Sequence, residues 1–299
     1  MDRAHIATVS ALFALLVLCG CGGSSDGDAP SAGSDSGLDA NEVGDTPPSD
    51  AGEGGVEACG STTCGALEQC YDHRFCVAKL VAIPEGYSID ATEVTRAQYA
   101  SWLATSPSES DQLPECAWAT GQMGFAEGHD PPGAEGQLPV VMVSWCSAYA
   151  YCKGVGKRLC GRIGGGANSY DADADAAMSQ WFNACSAHAQ NDYPYGDTYD
   201  AQTCKGSQDG GSPVKVATFP GCQSSVAGYA GVYDLSGNAA EWEDSCSGAT
   251  GTSDHCHQRG GSSQSQSASS LRCDGTAASA ASLRASRASW VGFRCCSVP

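Results

Sequence analysis

Residues 138–159, LPVVMVSWCSAYAYCKGVGKRL, decide the architecture. Ser144 is placed to cap a helix, because its hydroxyl can accept an N–H of the first turn that has no intrahelical partner. Ala148, Tyr151 and Cys152 follow at helical spacing, which predicts a helix from that cap to about Lys153. A second start signal lies upstream. Thr95 and Gln98 have the Thr-x-x-Gln form of a capping box, and Tyr99, Trp102 and Leu103 follow at helical spacing. Beyond Cys160 the chain is dominated by Gly, Ser, Asn and Asp between short apolar runs, which predicts irregular structure and few long elements. No internal repeat is evident.

The chain has 299 residues and 18 Cys, far more cysteine than a reducing compartment favours, so export is the first inference. Its formal charge of −19 repels phosphate backbones and excludes nucleic acid as a partner, since no local basic patch opposes the field. The N-terminus explains the export. The apolar run Ile6–Leu18 is too short to span a bilayer and has the length of a signal-peptide core. It ends Leu18-Cys19-Gly20-Cys21, which resembles a bacterial lipobox and implies lipidation of Cys21. From Gly22 to Ala58 the chain holds nine acidic residues, no Lys or Arg and no aromatic residue, the composition of a solvated, disordered tether.

Cys59, Cys64, Cys70 and Cys76 then fall within eighteen residues, at gaps unlike the CxxC pairs of metal sites. In an exported chain this predicts a small module held by two disulfides, with three connectivities open.

Five segments together resemble the formylglycine-generating enzyme (sulfatase-modifying factor) family. They are GYSIDATEVTRAQYASWL (86–103), the opening stretch 138–159, DLSGNAAEWEDS (234–245), RGGSS (259–263) and GFRCC (292–296). The resemblance covers roughly residues 80 to 299. It implies an α+β domain related to C-type lectin folds, loop-rich and stapled by disulfides. The organisation that follows is a lipoprotein signal peptide (1–20), an acidic tether (21–58), the two-disulfide module (59–79) and the sulfatase-modifying-factor-like domain (80–299).

Enzymes of this family oxidise a protein cysteine to formylglycine, using copper held by two cysteines that follow the RGGS motif. Two thiolates suit soft Cu(I). The resemblance places that pair at Ser265 and Ser270, and a hydroxyl is a hard, weakly acidic ligand that cannot replace a thiolate. Copper is therefore not expected, no catalytic residue is assigned, and the family's aromatic position in "GN.WEW" is Ala240. Cys256 and Cys273 lie on opposite sides of RGGS and match the family pair poorly. The alternative is an oxidase of the same type acting through a cysteine pair not recognised here.

The resemblance implies disulfides Cys152–Cys295 and Cys185–Cys273. Short sequence separation adds Cys204–Cys222 and Cys246–Cys256, leaving Cys116, Cys146, Cys160 and Cys296 for two more. The family's calcium loop matches Asp234, Gly237, Ala239 and Glu241, two side chains and two backbone carbonyls that offer a hard cation oxygen only. Near the family's second calcium position stands Lys205, whose charge opposes a cation. His255-Cys256-His257 and the Asp171–Asp175 run read as a solvated loop and a surface insertion. These features describe an envelope-anchored binding domain for an unidentified protein or glycan, attached to a membrane through its lipid.

Overall fold

In the computed structural model, which describes residues 56–110, 112–125, 133, 135–275 and 281–298, both capped segments are helices. Helix α1 (Arg96–Leu103) starts at Thr95 with both halves of the capping box formed. Thr95 Oγ1 accepts from the Gln98 N–H at 3.3 Å, and Gln98 Oε1 accepts from the Thr95 N–H at 3.0 Å. Helix α2 (Trp145–Gly154) starts at Ser144, whose hydroxyl accepts from the Ser147 N–H at 3.2 Å. The two helices meet through aromatic rings: Tyr151 lies 5.7 Å from Tyr99, 5.4 Å from Trp102 and 5.4 Å from Phe293. A side chain at Gly154 would run into the Trp102 indole, so this approach requires glycine. Helix α3 (Gln180–Ser186), capped by Ser179, lies where the composition predicted irregular chain; its cap gives Phe182 N–H a 3.0 Å bond.

The strands are short: β1 (Glu57–Cys59), β2 (Thr62–Cys64), β3 (Glu68–Tyr71), β4 (Phe75–Ala78), β5 (Leu80–Ile83), β6 (Tyr87–Asp90), β7 (Arg158–Leu159), β8 (Ala240–Cys246), β9 (His255–Arg259), β10 (Ala281–Leu283), β11 (Val291–Phe293) and β12 (Cys295–Ser297). One four-stranded sheet has the order β10-β9-β8-β11, with β8 and β11 parallel; the other has the order β5-β6-β12-β7. Hairpins β1-β2 and β3-β4 stand beside them. This is a mixed α+β fold, rich in loops, and eight disulfides join all sixteen cysteines among the described residues.

The four-cysteine segment connects Cys59 to Cys70 and Cys64 to Cys76. It is not a body of its own. Phe75 and Val77 of β4 are buried in the same apolar cluster as Trp102, Tyr151 and Trp242, and Gly52–Pro299 forms one compact unit. Glu57, which composition groups with the tether, lies in β1, and its carboxylate accepts from the Cys70 N–H at 2.8 Å. Cys21, the signal peptide and nearly all of the acidic segment lie outside the described residues.

Successive side chains of a strand point to opposite faces, and on β12 this explains the vicinal cysteines. Cys295 turns into the cluster of Tyr151 and Phe293 and bonds Cys152 of α2. Cys296 turns into a second cluster, of Ile89, Trp181 and Leu235, and bonds Cys160. One strand thereby crosslinks both cores. Eight disulfides place the domain in an oxidising compartment outside the cytoplasm. No helix among the described residues is long and apolar enough to cross a membrane.

Candidate functional site

The RGGS motif turns at the end of β9. Arg259 is fully buried; its Nη1 donates to Asp173 at 2.8 Å, its Nη2 to the Cys273 carbonyl at 2.9 Å, and its guanidinium lies 5.1 Å from the Trp181 ring centre. The chain then reverses through Gly260 and Gly261, both at positive φ. A Cβ on Gly260 would approach the Leu235 carbonyl oxygen to 2.7 Å, and one on Gly261 would strike the Ser270 carbonyl, so the turn accepts no side chain at either position.

The serines that follow hold the loop by bonding its own backbone, the local role this side chain favours in turns. Ser265 Oγ accepts from the Ser262 N–H at 3.0 Å, and Ser262 Oγ accepts from the Gln264 N–H at 3.2 Å. Ser267 caps the short 3-10 helix Ala268–Leu271, and Ser270 Oγ donates to the Ser267 carbonyl at 2.7 Å. The hydroxyls at 265 and 270, where the resemblance places copper thiolates, are thus engaged in turn hydrogen bonds. Both residues also wall a cavity of about 140 Å³, together with Ser262, Gln258, Ala240 and Trp290. Ala240 opens this space, since an aromatic ring there would project into it. The Gln258 Nε2 is buried and has no hydrogen-bond partner among the described residues.

No cysteine among the described residues is available as a thiol. Cys256 bonds Cys246, and Cys273 bonds Cys185. Cys204 bonds Cys222, and Cys116 bonds Cys146. His257 is used structurally: its Nε2 lies 2.9 Å from the Tyr170 carbonyl and its ring stacks on Tyr170 at 4.3 Å. Within the Asp171–Asp175 run, Asp173 is the acceptor for Arg259 and faces His257 at 3.7 Å, which makes it part of the frame behind the loop.

The 234–241 loop gathers a buried ionic cluster. Arg294 donates from Nε to Glu241 Oε2 and from Nη2 to Glu241 Oε1, each at 2.7 Å. Its remaining bonds run from Nη1 to the Asp90 carbonyl at 3.0 Å and from Nη2 to the Tyr233 carbonyl at 2.7 Å. Trp181 Nε1 adds a 2.7 Å bond to Glu241 Oε2. Glu93 closes the other side, accepting from the Ala239 N–H at 3.1 Å and from Asn238 Nδ2 at 3.2 Å. Burial, with the neighbouring Asp234 and Glu241 charges, pushes the Glu93 carboxyl well above the usual range. Burial raises Asp234 to about 6, although the Ala217 N–H bonds its Oδ2 at 2.6 Å.

Of the four residues matched to a calcium loop, Asp234, Gly237 and Ala239 stand together on the turn, whereas Glu241 is committed to Arg294. One carboxylate and two carbonyls are oxygen donors of the kind a hard cation takes, about half of the six to eight that calcium requires. Lys205 is buried against this turn; its carbonyl accepts from the Asn238 N–H at 2.8 Å and excludes any side chain at Gly237. Glu93 and Arg294 lie in segments that carry the resemblance but receive no role from it, and Trp181 lies in none of those segments. For Glu93 and Arg294 a signal was present, because charged residues embedded in the apolar stretches IDATEV and VGFRCC must find partners once buried.

A family model described as the sulfatase-modifying factor enzyme 1-like domain matches residues 53–298. The chain belongs to that family. The match includes the four-cysteine hairpins. Similar solved structures include CarF, 18% identical with 71% of this chain and 86% of CarF covered, at a TM-score of 0.47. Treponema denticola variable protein 1 is 22% identical, with 71% and 84% covered and a TM-score of 0.45. PvdO from Pseudomonas aeruginosa is 18% identical, with 71% and 80% covered and a TM-score of 0.47. No curated protein matches the chain in sequence.

Proposed function

We propose that this sulfatase-modifying factor domain is a binding module without formylglycine-generating activity, carried outside the cytoplasm and held to a membrane through lipidated Cys21. The observation that carries this reading is the cavity beside RGGS. Serine hydroxyls, Gln258 and Trp290 wall it, and every described cysteine is in a disulfide. Copper oxidation needs thiolate ligands, and none is offered there. A hydroxyl-lined cavity with an unpartnered amide donor and an indole edge suits a segment of polypeptide, whose carbonyls accept from Gln258 and whose side chains pack on Trp290.

Two assays test the reading. The purified protein, incubated with Cu(I), oxygen and a CxPxR peptide, should form no aldehyde; aldehyde formation would overturn the proposal. Replacing Trp290, which is 43% exposed, with Ala should leave the melting temperature within about 2 °C, the usual span for a surface change. The same change should abolish the retention of a partner protein that the wild-type domain shows.

We further propose that calcium is held at the 234–241 turn by Asp234 with the Gly237 and Ala239 carbonyls, Glu241 being shared with Arg294. The ion would supply positive charge where Glu93, Asp234 and Glu241 crowd together. Dialysis against a chelator should lower the melting temperature and added calcium should restore it; an unchanged melting curve would remove calcium from this site.

A further inference from the structure

A separate cavity of about 360 Å³ lies between α2, β8 and the segment after β10. Its wall includes Glu115, Trp145, Tyr149, Arg158, Asp244 and Arg284. Arg284 is 2% exposed and lies flat on Trp145, 4.3 Å from the ring centre, while Tyr149 stacks on Trp145 at 5.2 Å. Among the described residues only one of its three guanidinium nitrogens finds an acceptor: Nη2 donates to the Gly248 carbonyl at 2.8 Å and to Asp254 at 3.2 Å. Nε and Nη1 are buried and meet no acceptor among those residues.

Asp244, on the same wall, presents the opposite deficiency. Its nearest cation is Arg158, with Nη2 at 3.7 Å, beyond hydrogen-bonding distance, and its side chain is only 14% exposed. Arg158 is already engaged elsewhere, with Nη1 donating to Gln180 at 2.6 Å and Nη2 to the Gly166 carbonyl. Arg284, whose charge is paired with Asp254, thus brings to the cavity two guanidinium N–H groups that meet no acceptor among the described residues, and Asp244 brings a carboxylate whose nearest cation stands off at 3.7 Å, beside the half-buried ring of Tyr149. Buried groups of this kind are normally satisfied by protein or water, and unmatched ones ask for a cause.

We propose that this cavity binds a small zwitterion, a free amino acid or short peptide, with its carboxylate at Arg284 and its ammonium at Asp244. The wall carries two cations, Arg158 and Arg284, against two anions, Asp244 and Glu115. This balance matches a ligand bearing both charges and disfavours a simple anion in a chain of net charge −19. The site is distinct from the RGGS cavity and does not depend on it.

Calorimetric titration of the full chain would use L-alanine and L-alanyl-L-alanine as probes. Acetate, methylammonium and N-acetylglucosamine serve as anion-only, cation-only and neutral-sugar arms. One of the two zwitterions should bind saturably, at least about tenfold more tightly than acetate or methylammonium. Asp244→Asn should weaken that binding by about tenfold or more while the protein remains folded, as should Arg284→Lys. Acetate binding as tightly as the zwitterion, preferential binding of the sugar, the absence of any saturable binding, or unchanged affinity in folded Asp244→Asn would each overturn the assignment.

Discussion

Arg294 and Arg284 are both buried arginines, and their surroundings could hardly differ more. All three nitrogens of Arg294 are bonded, two of them to Glu241, and Trp181 bonds the same carboxylate. Arg284 has, among the described residues, a single bonded nitrogen and two without acceptors beside an open cavity. A guanidinium saturated by its own protein serves the frame. One left short of acceptors has capacity for a ligand. The difference shows how a disulfide-stapled fold can hold one region fixed while leaving another chemically unfinished.

The largest expected effect comes from breaking the saturated region. Arg294→Leu leaves Glu241 buried without its cation and removes the charge that moderates Glu93 and Asp234. Breaking a buried pair from one side costs about 3–5 kcal/mol, so urea unfolding with the disulfides intact should show a loss of that size. Glu241→Leu should cost about as much alone, and the double variant should cost far less than the sum because neither charge is stranded. Additive losses would mean that the pair is not the unit of stabilisation.

The motifs around Arg294 were legible because their chemistry is local. Thr95 and Gln98 announce α1, Ser144 announces α2, and the serine run beside RGGS bonds its own backbone. What the sequence did not disclose depends on long-range pairing. Glu93 meets the 234–241 loop 146 residues later, and Arg294 bonds the Asp90 carbonyl across 204 residues. Neither partner leaves a spacing signal. Phe75 and Val77 look like parts of a small cysteine module until β4 is seen against α1, where the main core covers them. The Arg284 cavity was invisible for the same reason, since its walls come from segments as far apart in the chain as Glu115 and Arg284.

A second, smaller effect sharpens the contrast through pH. Burial raises Asp244 to about 6 from an ordinary 3.8, against the opposing influence of Arg158 and Arg284 and with Glu243 and Glu115 reinforcing it. A carboxyl raised in the folded state binds protons more tightly there than when unfolded. Its stabilising contribution is therefore full below about pH 4 and is lost as pH rises through about 6. The neutral Asn of Asp244→Asn escapes that loss. After allowance for the exposed part of the side chain, the variant should gain about 1–2 kcal/mol over wild type at pH 8 and almost nothing at pH 4. Denaturant titrations at the two pH values measure this directly, and an equal gain at both would assign the effect to packing.

The smallest expected effect is also the closest test of the comparison. Arg284→Leu removes one guanidinium nitrogen with two acceptors and two nitrogens with none. The lost bonds expose Asp254 to a deficit, but Thr250 and Gly251 still donate to its carboxylate, at 2.6 to 2.9 Å. Removing the two unsatisfied donors recovers part of what burial cost, and an apolar side chain can still cover Trp145. The net change should be about 1 kcal/mol or less, several-fold below that of Arg294→Leu in the same unfolding assay. If the two arginines prove equally costly to replace, Arg284 belongs to the frame, and the cavity beside it loses its claim to a ligand.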